Sequence, residues 1–364
     1  MDIKKFWPVL LSVLAFIVLA FIIFPNLNLP LPDSNFNSSP TPTPTSLVPQ
    51  KIAANLNTPW SIVSLPHSGY LVTERPGNVK LVSSENVTQI GQVEEVTEIG
   101  EGGLLGAAIH PEFVSNNFVY FYHTYRNSIG DLRNRVVRYR FANNTLSSRE
   151  VVFQDIPGAN RHDGGRIKFG PDGFLYVTTG DALNPNASQD TSSLAGKILR
   201  LTDEGESAPG NPFGNPVYSY GHRNPQGLAW DGQNRLWATE HGSSGQDELN
   251  LIEPGNNYGW PLITGSQQSQ GITPPVIQSG SDTWAPSGLA YQDGQLYFSG
   301  LRGQAVFNYN PLSSQLGNYF QQEFGRIRDI ISDNSGNLIF ATNNTDGRGR
   351  PQDNDDKIFL LATP

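Results

Sequence analysis

One strand–turn–strand phrase recurs six times along the chain, and that repetition restricts the fold more than any other feature. Each copy runs from a small polar residue or glycine into an alternating apolar strand, crosses an Asp/Asn/Gly turn, and enters a second strand ending in Thr, Gly or Glu. The copies pair residues 60–64 with 69–74, 105–109 with 118–122, 165–169 with 173–178, 226–230 with 235–240, 287–291 with 295–299, and 328–332 with 336–342. Alternation with a period of two is the pattern of antiparallel strands. Most copies continue into a further strand, at 78–82, 197–201, 248–252, 305–309 or 357–361. Four-stranded antiparallel units repeated around a channel define a β-propeller, and six copies predict an all-β protein of six blades. A β-sandwich or a pair of β-domains lacks so long a regular repeat. The 37 glycines and 27 prolines fit many short strands joined by tight turns.

Charge and composition exclude several functions. With 24 basic and 33 acidic residues the net charge is −9, which disfavours a protein that tracks nucleic-acid phosphates. No cysteine is present, so disulfides, thiolate metal sites and a cysteine nucleophile are ruled out together.

The N-terminal residues follow a different pattern. Lys4 and Lys5 precede an apolar run at 6–24, broken only by Pro8 and Ser12, which is near the length that spans a bilayer. No Ala-x-Ala-like site closes the run, so an uncleaved transmembrane helix is expected in preference to a cleaved secretory signal. Lysines on the inner side leave residues 1–5 as a cytoplasmic stub and the rest of the chain periplasmic or extracellular. Residues 25–50, rich in Pro, Ser, Asn and Thr, read as a disordered, extended linker. The propeller is expected over 51–364.

Polar clusters stand at the ends of the repeated strands. They are Glu101-Gly-Gly-Leu-Leu-Gly, Arg161-His-Asp-Gly-Gly-Arg, Tyr220-Gly-His-Arg-Asn-Pro-Gln-Gly and Glu240-His-Gly-Ser-Ser-Gly-Gln-Asp-Glu, followed by Trp284-Ala-Pro-Ser, Gly300-Leu-Arg-Gly-Gln and Gly325-Arg-Ile-Arg-Asp. Radial repetition directs such segments to one mouth. Arg223, Arg302, Arg326 and Arg328 would converge there as four unpaired guanidiniums, which call for a polyanionic ligand.

Taken in order along 52–362, His-x-Gly-Gly-Arg, Gly-His-Arg-Asn-Pro-Gln-Gly and Asp-Glu-x-Asn-Leu-Ile…Asn-Tyr-Gly-Trp-Pro resemble the glucose/sorbosone dehydrogenase family, in particular its aldose sugar dehydrogenase branch. That resemblance implies oxidation of an aldose at its anomeric carbon to a lactone, with pyrroloquinoline quinone and Ca²⁺ as cofactors and an external electron acceptor. His162 then corresponds to the general base, a role suited to an imidazole near neutral pH. Arg223 and Asn224 correspond to the pair beside the reactive quinone carbonyl, where a cation stabilises developing charge. Arg302, Arg326 and Arg328 would face the cofactor, as would His241.

The same resemblance gives the carbonyls of Gly242 and Ser243 to the cofactor's calcium, and Asp247, Glu248 and the Tyr258 carbonyl to a structural calcium. Hydrogen bonding to loop amides is the simpler role for the two carboxylates. Glu101 and Trp284 would line the substrate pocket, though Trp284 also suits a core position. Glu101, His241, Ser243 and Arg302 replace Gln, Gln, Pro and Lys of the soluble glucose dehydrogenase branch, and Arg161 departs from it as well. Broad aldose selectivity is therefore expected, set by loops at 184–193 and 263–282. Two other functions fit a propeller on a membrane stalk: a non-catalytic binding module, and a calcium-dependent lactonase-type hydrolase in which His162 activates water. Retention of His162 with Arg223 and Asn224 disfavours the first. The arginine cluster disfavours the second, because a neutral lactone offers it no anionic partner.

Overall fold

The computed structural model describes residues 48–66, 69–83 and 86–361. Among them are six four-stranded antiparallel sheets. Blade one comprises Pro59–Ser64, Tyr70–Glu74, Asn78–Ser83 and Asn86–Gln92. Blade two comprises Leu104–Ile109, Phe118–Arg126, Leu132–Ala142 and Thr145–Pro157. Blade three is built from Ile167–Phe169, Leu175–Thr179, Lys197–Leu201 and Val217–Tyr220. Blade four has Pro225–Trp230, Leu236–Glu240, Glu248–Ile252 and the short Ile277–Gln278. Blade five has Pro286–Gln292, Gln295–Gly300, Ala305–Asn310 and Gln315–Tyr319. The expectation of six blades is met.

Blade six closes the ring. Its strands Ile327–Ser332, Leu338–Thr342 and Ile358–Leu361 are completed by Pro49–Ala53 from the other end of the chain, with Pro49 opposite Leu361 and Lys51 opposite Phe359. Pairing the first strand with the last puts both ends of the described chain in one blade and so ties the ring shut. This strand begins two residues inside the stretch read as linker. The predicted anchor at 6–24 and nearly all of the stalk lie outside the described residues. Among the described residues no helix is long and apolar enough to cross a membrane.

Apolar residues on alternating strand positions fill the interfaces between blades. Six buried clusters occur among the described residues, one at each interface, such as Leu71, Val79, Phe121 and Val137 between blades one and two. The innermost strands instead meet around a narrow channel, where a cavity of about 200 Å³ is lined by residues of all six blades. Arg166 of blade three crosses this channel to Asp329 of blade six, Nη2 to Oδ1 at 3.0 Å, with both side chains buried. Its Nη1 also donates to Ser61 Oγ in blade one, and its Nε to the Gln226 carbonyl in blade four. The guanidinium lies 4.4 Å from the Trp60 ring. Asp329 Oδ2 in turn accepts the Ile62 amide at 2.7 Å.

Removing one partner of a buried pair strands the other charge. Asp329→Ala is expected to lower the unfolding free energy by about 3–5 kcal/mol in urea titration, and Asp329→Asn by less, because it keeps an acceptor for the Ile62 amide. A loss below about 1 kcal/mol for Asp329→Ala, the scale of exposed pairs, would show that the channel pair does not brace the ring.

Candidate active site

In each blade the first strand starts, and the second ends, on the same face. Register places Pro59 opposite Glu74, Pro225 opposite Glu240, Pro286 opposite Gly300 and Ile327 opposite Thr342. Residues preceding the first strand and following the second are therefore gathered on one side of the channel. His162, Arg223, Asn224, Trp284 and Arg326 precede first strands, whereas Asp181, His241 and Arg302 follow second strands.

His162 is fixed from several directions. Its φ is +61°, a left-handed conformation that costs energy in a residue with a Cβ. Its amide donates to Glu101 Oε2 at 3.1 Å and its carbonyl accepts from the Ala182 amide at 3.2 Å. A Cβ added to Gly180 would lie 1.8 Å from that carbonyl oxygen, so only glycine lets the strand end approach so closely. His162 Nδ1 meets Asp181 Oδ1 at 2.8 Å. Asp181 is buried and also accepts from the Leu183 amide and, through Oδ2, from Trp260 Nε1 at 2.8 Å. The Trp260 ring lies 5.3 Å from the Arg223 guanidinium.

Glu101 lies beside this group. Burial opposes its ionisation, but the His162 amide, His241 and Arg348 outweigh that and hold its pKa down to about 2. Arg348, from the long turn after the second strand of blade six, reaches Glu101 Oε1 at 2.9 Å. Arg161 is exposed.

The arginines do not all stand free, as the sequence implied. Arg326 is engaged by Asp346 at 2.8 Å and by the Leu301 carbonyl at 3.4 Å. Arg328 Nη1 donates to Gln226 Oε1 at 2.8 Å, and burial with Arg326 and Arg75 nearby pulls its pKa down to about 9. Arg302 is exposed, its amide donates to the Trp284 carbonyl while its guanidinium has no polar partner among the described residues, and it shares a cavity of about 470 Å³ with Trp284. Trp284 itself is largely buried, packed between Phe298 and Phe307, so core packing dominates its surroundings.

At this end of the channel Arg223 Nε, Arg328 Nε and His241 Nε2 are buried without a hydrogen-bond partner among the described residues. Arg223 Nη1 reaches only the His241 carbonyl, at 3.3 Å. Burial lowers the pKa of Arg223, against the opposing charges of Asp181 and Glu240, and lowers that of His241 to about 4. Asn224 Oδ1 accepts the Gly164 amide at 3.0 Å, which orients its amide group. Orphaned buried donors are costly, and their proximity to one another marks a place for an acceptor-rich ligand.

The residues matched to calcium divide into two sets. The Gly242 and Ser243 carbonyls accept no hydrogen bond among the described residues. Asp247, by contrast, is filled by its own loops. Oδ1 accepts the Gly242 amide, and Oδ2 accepts Thr283 Oγ1 and the amides of Trp284 and Ala285. Glu248 accepts from Asn250 and from the Gly265 amide, faces Glu240 across the strands, and is pushed up to about 8 by burial and by that neighbour's charge. Tyr258 stacks on His222, ring centroids 4.7 Å apart, and His222 Nδ1 meets Glu240 Oε2 at 2.8 Å. Among the described residues no three His, Asp or Glu side chains converge as a metal-binding group.

Asp181, Trp260, Glu240, Gln226, Asp346 and Arg348 were not singled out from the sequence. For Asp181 a signal exists: it follows Thr178-Thr-Gly as Glu240 follows Trp237-Ala-Thr, a carboxylate at the end of a second strand.

Comparison with known proteins adds a family. The family described as glucose/sorbosone dehydrogenase matches residues 56–351. The solved structure of a PQQ-bound aldose sugar dehydrogenase from Streptomyces coelicolor is 42% identical, with a TM-score of 0.81, covering 85% of this chain and 96% of that one. An aldose sugar dehydrogenase of Escherichia coli (strain K12) is 29% identical over 80% of this chain and 89% of its own length. An uncharacterised Synechocystis protein is 33% identical over 80% and 83%.

The depressed pKa of Glu101 has a measurable consequence. A carboxylate held below its unfolded value stabilises the fold above that value and loses the contribution as pH falls through the folded pKa. The stability difference between wild type and Glu101→Gln should be constant above about pH 4.5 and shrink between there and about pH 2, in thermal melts across that range. A difference independent of pH would show that Glu101 is not held ionised by the His162 amide and Arg348.

Proposed function

The chain belongs to the glucose/sorbosone dehydrogenase family, and from that membership we propose that it is a quinoprotein aldose sugar dehydrogenase with His162 as its general base. The observation that carries this reading is the His162–Asp181 pair beside three buried, unpartnered donors.

The donors suit a flat polycarboxylate quinone. Arg223, Asn224, His241, Arg302, Arg326 and Arg328 would hold pyrroloquinoline quinone, with the Gly242 and Ser243 carbonyls offering hard oxygen ligands to a calcium ion beside it. Bound there, the quinone supplies the two-electron acceptor for the hydride that leaves the anomeric carbon of the sugar. A structural calcium would use Glu248 and the Tyr258 carbonyl, relieving the repulsion between Glu248 and Glu240, while Asp247 braces the loop.

The protein's own groups do the proton chemistry. Donation of Nδ1–H to Asp181 leaves the Nε2 lone pair of His162 open to the sugar. Nε2 takes the proton of the anomeric hydroxyl as the hydride departs, the C–O bond becomes a carbonyl, and the product is a lactone. Asp181, held by the Leu183 amide and Trp260, stabilises the imidazolium that forms. Arg223, stacked on Trp260, places a cation where negative charge develops. Glu101 and Trp284 would meet the sugar, and an acceptor outside the site would reoxidise the enzyme. The apolar run at 6–24 would anchor the enzyme in a membrane, with the residues from 25 up to the closing strand at Pro49 as a stalk and the propeller outside the cytoplasm.

The test is reduction of a redox dye by a panel of aldoses after addition of calcium and pyrroloquinoline quinone. Wild type should turn over in a quinone-dependent manner, and His162→Ala should lose essentially all activity. Asp181→Asn should lower kcat by about 10²–10⁴-fold, as expected when a buried carboxylate no longer orients its imidazole. Quinone binding without turnover would point to a binding module, and no quinone binding would overturn the assignment of the arginines.

A further inference from the structure

Lys197 opens the third strand of blade three and is completely buried. Its ammonium donates to three main-chain carbonyls, those of Ala187 at 2.8 Å, Ser188 at 3.0 Å and Ala195 at 2.6 Å. Three N–H groups meet three acceptors, and no carboxylate forms an ion pair with the side chain among the described residues. A buried charge without a counter-ion is costly: burial draws the pKa of Lys197 down to about 7 against the pull of Asp190, while the three acceptors around Nζ match the three donors of the protonated form, and a methionine would fill similar volume without that cost. The arrangement is that of a cation chelated by backbone oxygens.

All three carbonyls belong to the connection between the second and third strands of blade three, the segment that starts at Asp181. Its other contacts lead into the active site. Gln189 Nε2 donates to the Trp260 carbonyl at 2.7 Å and to Asn257 Oδ1 at 3.0 Å, and Asn257 Nδ2 returns a bond to Gln189 Oε1 at 2.8 Å. The Ser188 carbonyl also accepts the Gly221 amide, two residues before Arg223. Trp260 then binds Asp181 through its indole N–H and stacks on Arg223. The ammonium is thus the hub of a loop whose rim holds the partner of His162 and the face of Arg223.

We propose that Lys197 is a covalently tethered monovalent cation for the loop at 181–196, a positioning residue that sets Asp181 and Trp260 against His162 and Arg223. Shortening the side chain leaves a three-carbonyl cage, and that cage takes up ammonium or potassium ion. The effect on activity rests on the dehydrogenase reading above; the effect on loop order does not.

The experiment uses full-length Lys197→Met and Lys197→Ala proteins, with hydrogen exchange and sugar oxidation as separate readouts. Lys197→Met should speed exchange of the amides at 182–196 by about tenfold or more, the scale of one lost charge-assisted hydrogen bond, while blades one and five keep wild-type protection. Its kcat should fall by about 10²-fold, as for a catalytic group displaced by an ångström. Lys197→Ala should behave alike in choline chloride and regain loop protection and rate in ammonium or potassium chloride at equal ionic strength, which loss of packing alone would not allow. Should Lys197→Met fail to fold, the melting temperature of Lys197→Ala with and without ammonium reads the same cage. Wild-type loop exchange in Lys197→Met, or equal recovery in choline, overturns the proposal. Loop loosening and ammonium rescue with no sugar oxidation even in wild type would uphold the tether and reject the dehydrogenase.

Discussion

The Arg166–Asp329 pair at the centre of the ring is the interaction on which the site depends. Blades pack against their neighbours through apolar clusters, but six innermost strands cannot meet in a hydrophobic core, because they line a channel. One guanidinium reaching blades one, four and six from blade three supplies the cross-channel connection. Asp329 adds a bond to the first strand of blade one. Arg166 follows His162 by four residues and Asp329 follows Arg328 by one, so the pair that fixes the strands also fixes the side chains at their ends. Displacing a first strand would move a catalytic or binding group with it.

Charge is distributed unevenly about this plug. Above it, Arg223, Arg328 and His241 keep donors that no protein group accepts. Elsewhere buried charges are answered: Arg138 by Glu150 and Glu204, Arg135 by Glu95, and Lys197 by three carbonyls. Unanswered donors cost stability, and the grouping of Arg223, Arg328 and His241 places part of that cost where an anionic cofactor would offset it. Arg326 departs from this pattern, since Asp346 already holds it. A ligand carboxylate would share that guanidinium with Asp346 or displace it.

Much of the fold was legible because propeller blades repeat a local pattern. Periodicity of two, turn residues and polar strand ends recur within a few tens of residues, so the six blades and the side chains at their tips could be read along the chain. Contacts between segments far apart carry no period. The first two residues of the closing strand Pro49–Ala53 were read as linker because its partner lies some three hundred residues away and its apolar content is small. Asp181 was missed as the partner of His162 because a carboxylate after a glycine reads as a turn. The Arg326–Asp346 and Arg348–Glu101 pairs were hidden for the same reason, each joining loops whose conformations depend on the completed ring.

The backbone around His162 shows what that ring provides. A left-handed φ in a β-substituted residue is unfavourable in an isolated turn, and here it is held by hydrogen bonds to both its amide and its carbonyl and by the close approach that Gly180 permits. The amide bond comes from Glu101 of blade two, whereas the carbonyl bond and Asp181 come from the loop that Lys197 organises in blade three. Two blades and one loop thus determine where a single imidazole points. Its Nδ1 is already committed to Asp181, so little reorganisation would be left for the proposed step in which Nε2 takes a proton. The strain is confined to one residue, and the plugged channel supplies the rigidity that keeps it there.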